Sequence, residues 1–165
     1  MSTSFVHVKG LNELQKFLDE LPAKMEANIM RAAMRAGANV ILQQARANVP
    51  AKTGLLRAGL RVYTSRRRGV VKATVRAGGK HAYIGKFVEY GTAAHLIKPK
   101  TAKSLFVAGL MRDGANHPGA APKPFMRPAL DTAGTAALVA VGEAIKKRLN
   151  KQGLNASGID VEIDQ

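Results

Sequence analysis

The chain has 165 residues, room for one ordinary domain and little besides. Apolar residues make up 46%, which supplies a core and excludes wholesale disorder; cysteine is absent, which excludes a disulfide scaffold, a thiolate metal site and a cysteine nucleophile. Its 26 Lys and Arg face 11 Asp and Glu, a net charge of +15 that points to an anionic partner: nucleic acid, a membrane surface or an acidic protein face.

Phe5 to Lys9 reads as a short strand bounded by Gly10. Asn12 is placed to cap a short helix, with Gln15 in capping-box position, and Leu14, Phe17, Leu18 and Leu21 follow at helical spacing up to Pro22. The N-terminus lacks the basic-then-apolar layout of a signal peptide, and no apolar run approaches the roughly 18 residues of a membrane span. A soluble, intracellularly made protein with no membrane partner is expected. Ala23 to Asn48 is the clearest helix, with Met25, Ile29, Ala33, Ala36, Val40 and Ile41 on one apolar stripe and Lys24, Arg31, Arg35, Gln43 and Arg46 mostly on other faces. It should stop before Pro50, since a residue preceding proline is pushed out of the helical region. Pro50 to Gly54 is a turn, and Leu55 to Leu60 fits a helical turn.

Leu60–Thr64 and Val70–Arg76 are rich in β-branched residues and read as a hairpin whose connector carries Arg66, Arg67 and Arg68, with Gly78-Gly79 closing the second strand. His81 to Gly91 is too short for periodicity to decide between helix and strand. Thr92 to Pro122 is loop-like, with a short strand or hairpin at Leu105–Met111; thirty irregular residues in a compact domain mark a functional or mobile loop. Phe125 to Lys151 is the second long helix, with Pro128 in its first turn, Leu130, Leu138, Val141, Ile145 and Leu149 on its buried face, and Gly153 as C-cap. In the tail, Ile159, Val161 and Ile163 alternate with acids, as in a strand added to a partner. The fold class expected is α+β: two long helices on a small antiparallel sheet, with a long loop insertion and extended terminal arms. One domain over 1–153 and an acidic arm over 154–165 are expected.

The charge is uneven. Between Ala51 and Pro128 sixteen Lys or Arg face only Glu89 and Asp113, whereas Gly158 to Gln165 holds three acids and no base. Enzyme motifs fail in detail. The four histidines, His7, His81, His95 and His117, are scattered with no His-Glu-x-x-His, and no Gly-x-Ser-x-Gly occurs. Gly79 to Phe87 is a poor phosphate loop: five residues separate Gly79 from Gly85, and Phe87 stands where Ser or Thr should hold magnesium. No catalytic residue, metal ligand or cofactor site is expected. A basic nucleic-acid binder is the alternative, although stacking aromatics are sparse.

Three motifs in order carry a resemblance: the helix followed by Pro50-Ala-Lys-Thr-Gly54-Leu55-Leu56-Arg57; Tyr83-Ile-Gly-Lys-Phe87-Val88-Glu89-Tyr90-Gly91-Thr92; and His117-Pro-Gly-Ala-Ala-Pro122-Lys-Pro124-Phe125-Met126-Arg127-Pro128-Ala129-Leu130. Together with Val8 to Leu14 they resemble the HK97 gp10-like family of tailed-phage tail-completion or neck proteins, over about residues 5 to 150. The resemblance implies a structural virion protein rather than an enzyme: a small α+β subunit related in shape to tail terminators, made in the bacterial host cytoplasm and located at the head–tail junction. It implies a ring of copies, commonly six-fold, with a head-closure or connector protein on one side, a tail terminator or tail tube protein on the other, and genomic DNA in transit through the channel. A tail-terminator ring is the nearby alternative.

On that resemblance, residue roles follow as expectations. Phe87 and Val88 pack the sheet against a helix, and Glu89 pairs with an arginine, Arg127 or one from a neighbouring subunit. Gly91 makes a turn before Thr92 that a side chain would block. Pro124, Phe125 and Pro128 fix the start of the last helix, as Pro50 and Gly54 fix the turn after the first. Arg66, Arg67 and Arg68 meet an acidic partner ring in preference to DNA, and the tail adds as a strand to an adjacent subunit.

Overall fold

The computed structural model describes residues 6–9, 12, 15, 16, 19, 23–50, 53–79, 82–101, 103–153 and 160–163. In chain order the elements are β1 (Val6–Lys9), α1 (Ala23–Asn48), α2 (Leu55–Gly59), β2 (Leu60–Arg67), β3 (Val70–Ala77), α3 (Ala82–Tyr90), β4 (His95–Ile97), β5 (Leu105–Val107), β6 (Leu110–Arg112), β7 (Ala115–His117), α4 (Met126–Lys151) and β8 (Asp160–Ile163). Asn12, Gln15, Lys16 and Asp19 are helical and exposed; Leu14, Phe17, Leu18 and Leu21, the apolar face expected there, lie outside the described residues.

The two long helices pack on each other, and small residues set how closely. Along α4 a fourth-residue row, Ala129, Ala133, Ala137, Ile145 and Leu149, is buried, with Val141 packed beside it. Along α1 a matching row holds Ile29, Ala33, Gly37, Ala45 and Val49. Ile29 and Ala33 cluster with Ile145 and Leu149, while Ala45 and Val49 cluster with Ala129, so the helices run antiparallel. Gly37 sits at the tightest point: a Cβ there would lie 2.6 Å from Val141 Cγ2 and 2.7 Å from the Ala137 carbonyl oxygen. The expected faces need correcting accordingly. Leu130 and Leu138, expected in the core, are 54% and 51% exposed, because a row of alanines lets the backbones approach more closely than leucines would. On α1 the buried stripe runs on through Leu42, Ala45 and Val49, while Met25, Ala36, Val40 and Ile41 are half-buried.

The β2–β3 ribbon packs on α1, in full register from Leu60↔Ala77 to Arg67↔Val70. Its turn, Arg68-Gly69, has φ of 50° and 81°, positive at both central residues as a type I′ hairpin requires. The base of the ribbon joins a second core cluster of Leu42, Ala45, Val49, Leu56, Leu60, Phe125 and Ala129, with Val62, Val75, Ala77, Ile84 and Val88 packed against it. Arg46 of α1 reaches the same place and donates to the Leu60 carbonyl at 2.9 Å. Among the described residues there are, instead of one sheet, four separate two-stranded ones, β1–β8, β2–β3, β4–β7 and β5–β6.

Two further expectations change. The segment after Thr92, expected to be loop-like, is a paired arm: Thr92 bridges Ala120 and β4 pairs with β7 from His95↔His117 to Ile97↔Ala115, while the hairpin expected at Leu105–Met111 is present as β5 and β6 around a second positive-φ turn at Ala108-Gly109. The acidic strand β8 pairs with β1 of its own chain, Val8↔Val161 and Lys9↔Asp160, where addition to an adjacent subunit was expected. Ile159 lies outside the described residues.

Candidate assembly site

The junction of α3, α4 and the arm is organised by one carboxylate. Every α-helix begins with four N–H groups that have no intrahelical partner. At α4 these belong to Phe125, Met126, Arg127 and position 128, which is proline and has none. Phe125, at the N-cap, has no side chain that can accept a hydrogen bond. Glu89, from the last turn of α3, accepts all three: from Phe125 N at 2.8 Å and Met126 N at 2.9 Å on Oε2, and from Arg127 N at 3.2 Å on Oε1. The Phe-Val-Glu-Tyr-Gly and Pro-Phe-Met-Arg-Pro motifs are thus two halves of one capping device, supplied in trans between helices.

Glu89 is only 8% exposed, and among the described residues it is the buried charged side chain. Burial by itself would raise its pKa; the backbone N–H groups of Met126, Phe125 and Arg127, and more weakly the Arg127 charge, outweigh that and hold the carboxyl below its ordinary value. The expected ion pair is therefore chiefly a bond to backbone. Arg127 contributes its N–H and a smaller charge effect, and its side chain is exposed.

Around this junction the chain is pinned at the foot of the arm. Thr92 and Ala120 exchange both backbone hydrogen bonds at 3.0 Å, and Lys123 N donates to the Val88 carbonyl at 2.8 Å. Gly91 has φ of 71°, and a Cβ on it would stand 2.5 Å from the Ala120 carbonyl oxygen and 2.9 Å from Pro122 N. Phe125 is 2% exposed and anchors the second core cluster; Pro124 is exposed and Pro128 half-buried in the first turn of α4. At the other end of the site Gly54, with φ of 73°, precedes α2 and its carbonyl accepts from Ala58 N at 2.9 Å; Pro50 is exposed.

Phe87, expected in the core, is 49% exposed. It makes an edge contact with Tyr83, ring centroids 5.8 Å apart, and exposed Tyr90 lies near them on α3. Val88 takes the core position instead. The three tip arginines do not form one face: in the ladder Arg66 and Arg67 lie on opposite faces and Arg68 is in the turn. On the arm, Phe106 (74% exposed), Leu110 and Met111 form an apolar tip. The short strand or hairpin expected at Leu105–Met111 is this tip, but its exposed apolar surface was not anticipated. His95 and His117 stack across the arm at 5.1 Å; His95 Nδ1 is 2.9 Å from the Ala93 carbonyl oxygen, and His117 Nδ1 accepts from Gly119 N at 3.0 Å. Among the described residues no cluster of His, Asp and Glu is arranged to hold a metal ion.

Residues 12–91 match the HK97-gp10-like family model, described as "Bacteriophage HK97-gp10, putative tail-component". The match spans α1, the ribbon and α3 and ends at Gly91, so Glu89 lies inside it while the helix that Glu89 caps lies beyond. No curated protein and no solved structure matches the chain.

Proposed function

From this kinship with a phage tail component, we propose that the chain is a structural protein of the virion that joins tail to head. Copies of it form a ring, commonly six-fold in such assemblies, seated between a head-closure or connector protein and a tail terminator or tail tube protein, and genomic DNA passes through the ring. The observation that carries this reading is the division of the molecule into a helical core and two β-projections, the ribbon tip and the arm, whose outer residues that core does not use. Arg66, Arg67 and Arg68 place cations on both faces and the end of the ribbon, suited to an acidic neighbouring ring. Exposed Arg127, at the start of α4, is a separate contact residue, while Glu89 works inside the subunit.

Microscopy of particles made when the gene is disrupted tests this. Filled heads lying apart from free tails are the expected result; joined, complete virions would remove the role.

A further inference from the structure

The ribbon leaves a strand edge open. A two-residue turn closes on a hydrogen-bonded pair, here Arg67↔Val70, and by alternation Ser65↔Lys72, Tyr63↔Thr74 and Arg61↔Arg76 are hydrogen-bonded as well. The N–H and C=O groups of Val71, Ala73 and Val75 therefore point away from β2. Among the described residues β3 pairs with β2 alone. Lys72 to Ala77 border an open groove of about 660 Å³, walled on its far side by α3 and the first turn of α4.

The groove has a definite chemistry. Lys72, Arg76, Lys86 and Arg127 stand around it, and Ile41, Val75 and Leu130 give it an apolar lining. Its one acid, Glu89, is committed to the α4 N–H groups. We propose that this groove docks an extended acidic segment of a partner protein, which adds to β3 as a strand. Such a segment uses everything the groove offers: backbone pairing along the edge, alternate apolar side chains on the lining, and carboxylates against the four cations. The six bordering residues span about 20 Å at roughly 3.3 Å each, the length of a common strand. A nucleic-acid backbone fits less well, because phosphates are repelled by the outward carbonyls of Val71, Ala73 and Val75. The same cations disfavour β3 of a second copy, whose Lys72 and Arg76 would meet their like. This inference does not rest on the head–tail reading and holds for a free subunit as for a ring.

The test uses the full chain and two labelled eight-residue peptides, one alternating Ile or Val with Asp or Glu, the other with Lys in place of each acid. Fluorescence anisotropy should show binding of the acidic peptide only. Ala73→Pro removes one outward N–H while sparing every bond to β2, and should weaken binding about tenfold or more. Lys72→Glu with Arg76→Glu should do the same. In the unaltered chain, hydrogen exchange at Val71, Ala73 and Val75 should slow when the peptide is added, a readout that stands even where Ala73→Pro folds poorly. Absence of binding, equal binding of both peptides, or unchanged exchange at those amides would overturn the proposal. Duplex DNA binding where the acidic peptide does not would overturn it in favour of nucleic acid.

Discussion

Removing the Glu89 carboxylate should unseat α4. Glu89→Ala deprives three N–H groups, now bonded at 2.8, 2.9 and 3.2 Å, of their acceptor. A hydrogen bond to a charged group contributes about 1.5–3 kcal/mol. The full sum overstates the loss, since part-buried Met126 and Arg127 amides regain water while the Phe125 amide does not; about 3–4 kcal/mol is expected. For a chain of this length that lowers Tm by roughly 6–16 °C. Glu89→Gln keeps acceptor oxygen but loses the charge facing the helix dipole, and should cost about 1–2 kcal/mol. The sign with pH follows from the lowered pKa: the charged form's stabilisation is full above the ordinary glutamate value of 4.5 and is lost as pH falls through the lower, folded-state value. Thermal unfolding by circular dichroism, from pH 7 down to about pH 3, should therefore show the gap between the native chain and Glu89→Gln shrinking as acid is added. An alanine variant within about 2 °C of the native chain, a glutamine variant as damaged as alanine, or a gap independent of pH would each refute the reasoning.

Two other outcomes are expected. Gly37→Val would drive methyl groups into Val141 and the Ala137 carbonyl, forcing the long helices apart at a cost of about 2–3 kcal/mol, read as a lower urea midpoint with little change in m. Phe106→Ser with Met111→Ser, on the exposed arm tip, should leave Tm within about 1–2 °C and reduce head–tail joining when the variant replaces the native protein in infection; a large loss of Tm would mean that the tip packs on the core.

The long elements were legible because their signals are local. The span from Ala23 to Asn48, the hairpin about residues 68–69 and the α4 start near Pro128 all lie where sequence reasoning puts them. What it misjudged depends on non-local contacts. Of the large residues expected on the buried face of α4, Val141, Ile145 and Leu149 do pack against α1, whereas Leu130 and Leu138 turn outward and Ala129, Ala133 and Ala137 are buried instead. Phe87 was expected in the core beside Val88, but helical α3 turns Val88 and Ile84 inward and Phe87 out. The arm's pairing joins Thr92 to Ala120 across a gap that three-residue strands cannot announce. Glu89 was singled out as an acid among cations expected to pair with an arginine, whereas its main partners are backbone N–H groups and Arg127's charge is a smaller contribution. A better signal was present: α4 opens on Phe125, which cannot cap it, so a cap has to arrive from elsewhere in the chain.

The arm's two legs run directly into the clamp, one leaving α3 two residues past Glu89 and the other reaching α4 at Phe125. A pull on the arm tip is thus a load on a small knot of bonds: the Thr92–Ala120 pair, the Lys123–Val88 bond and the three Glu89 bonds. The arm is a lever whose fulcrum is chemically defined, and acid, by discharging Glu89, loosens that fulcrum.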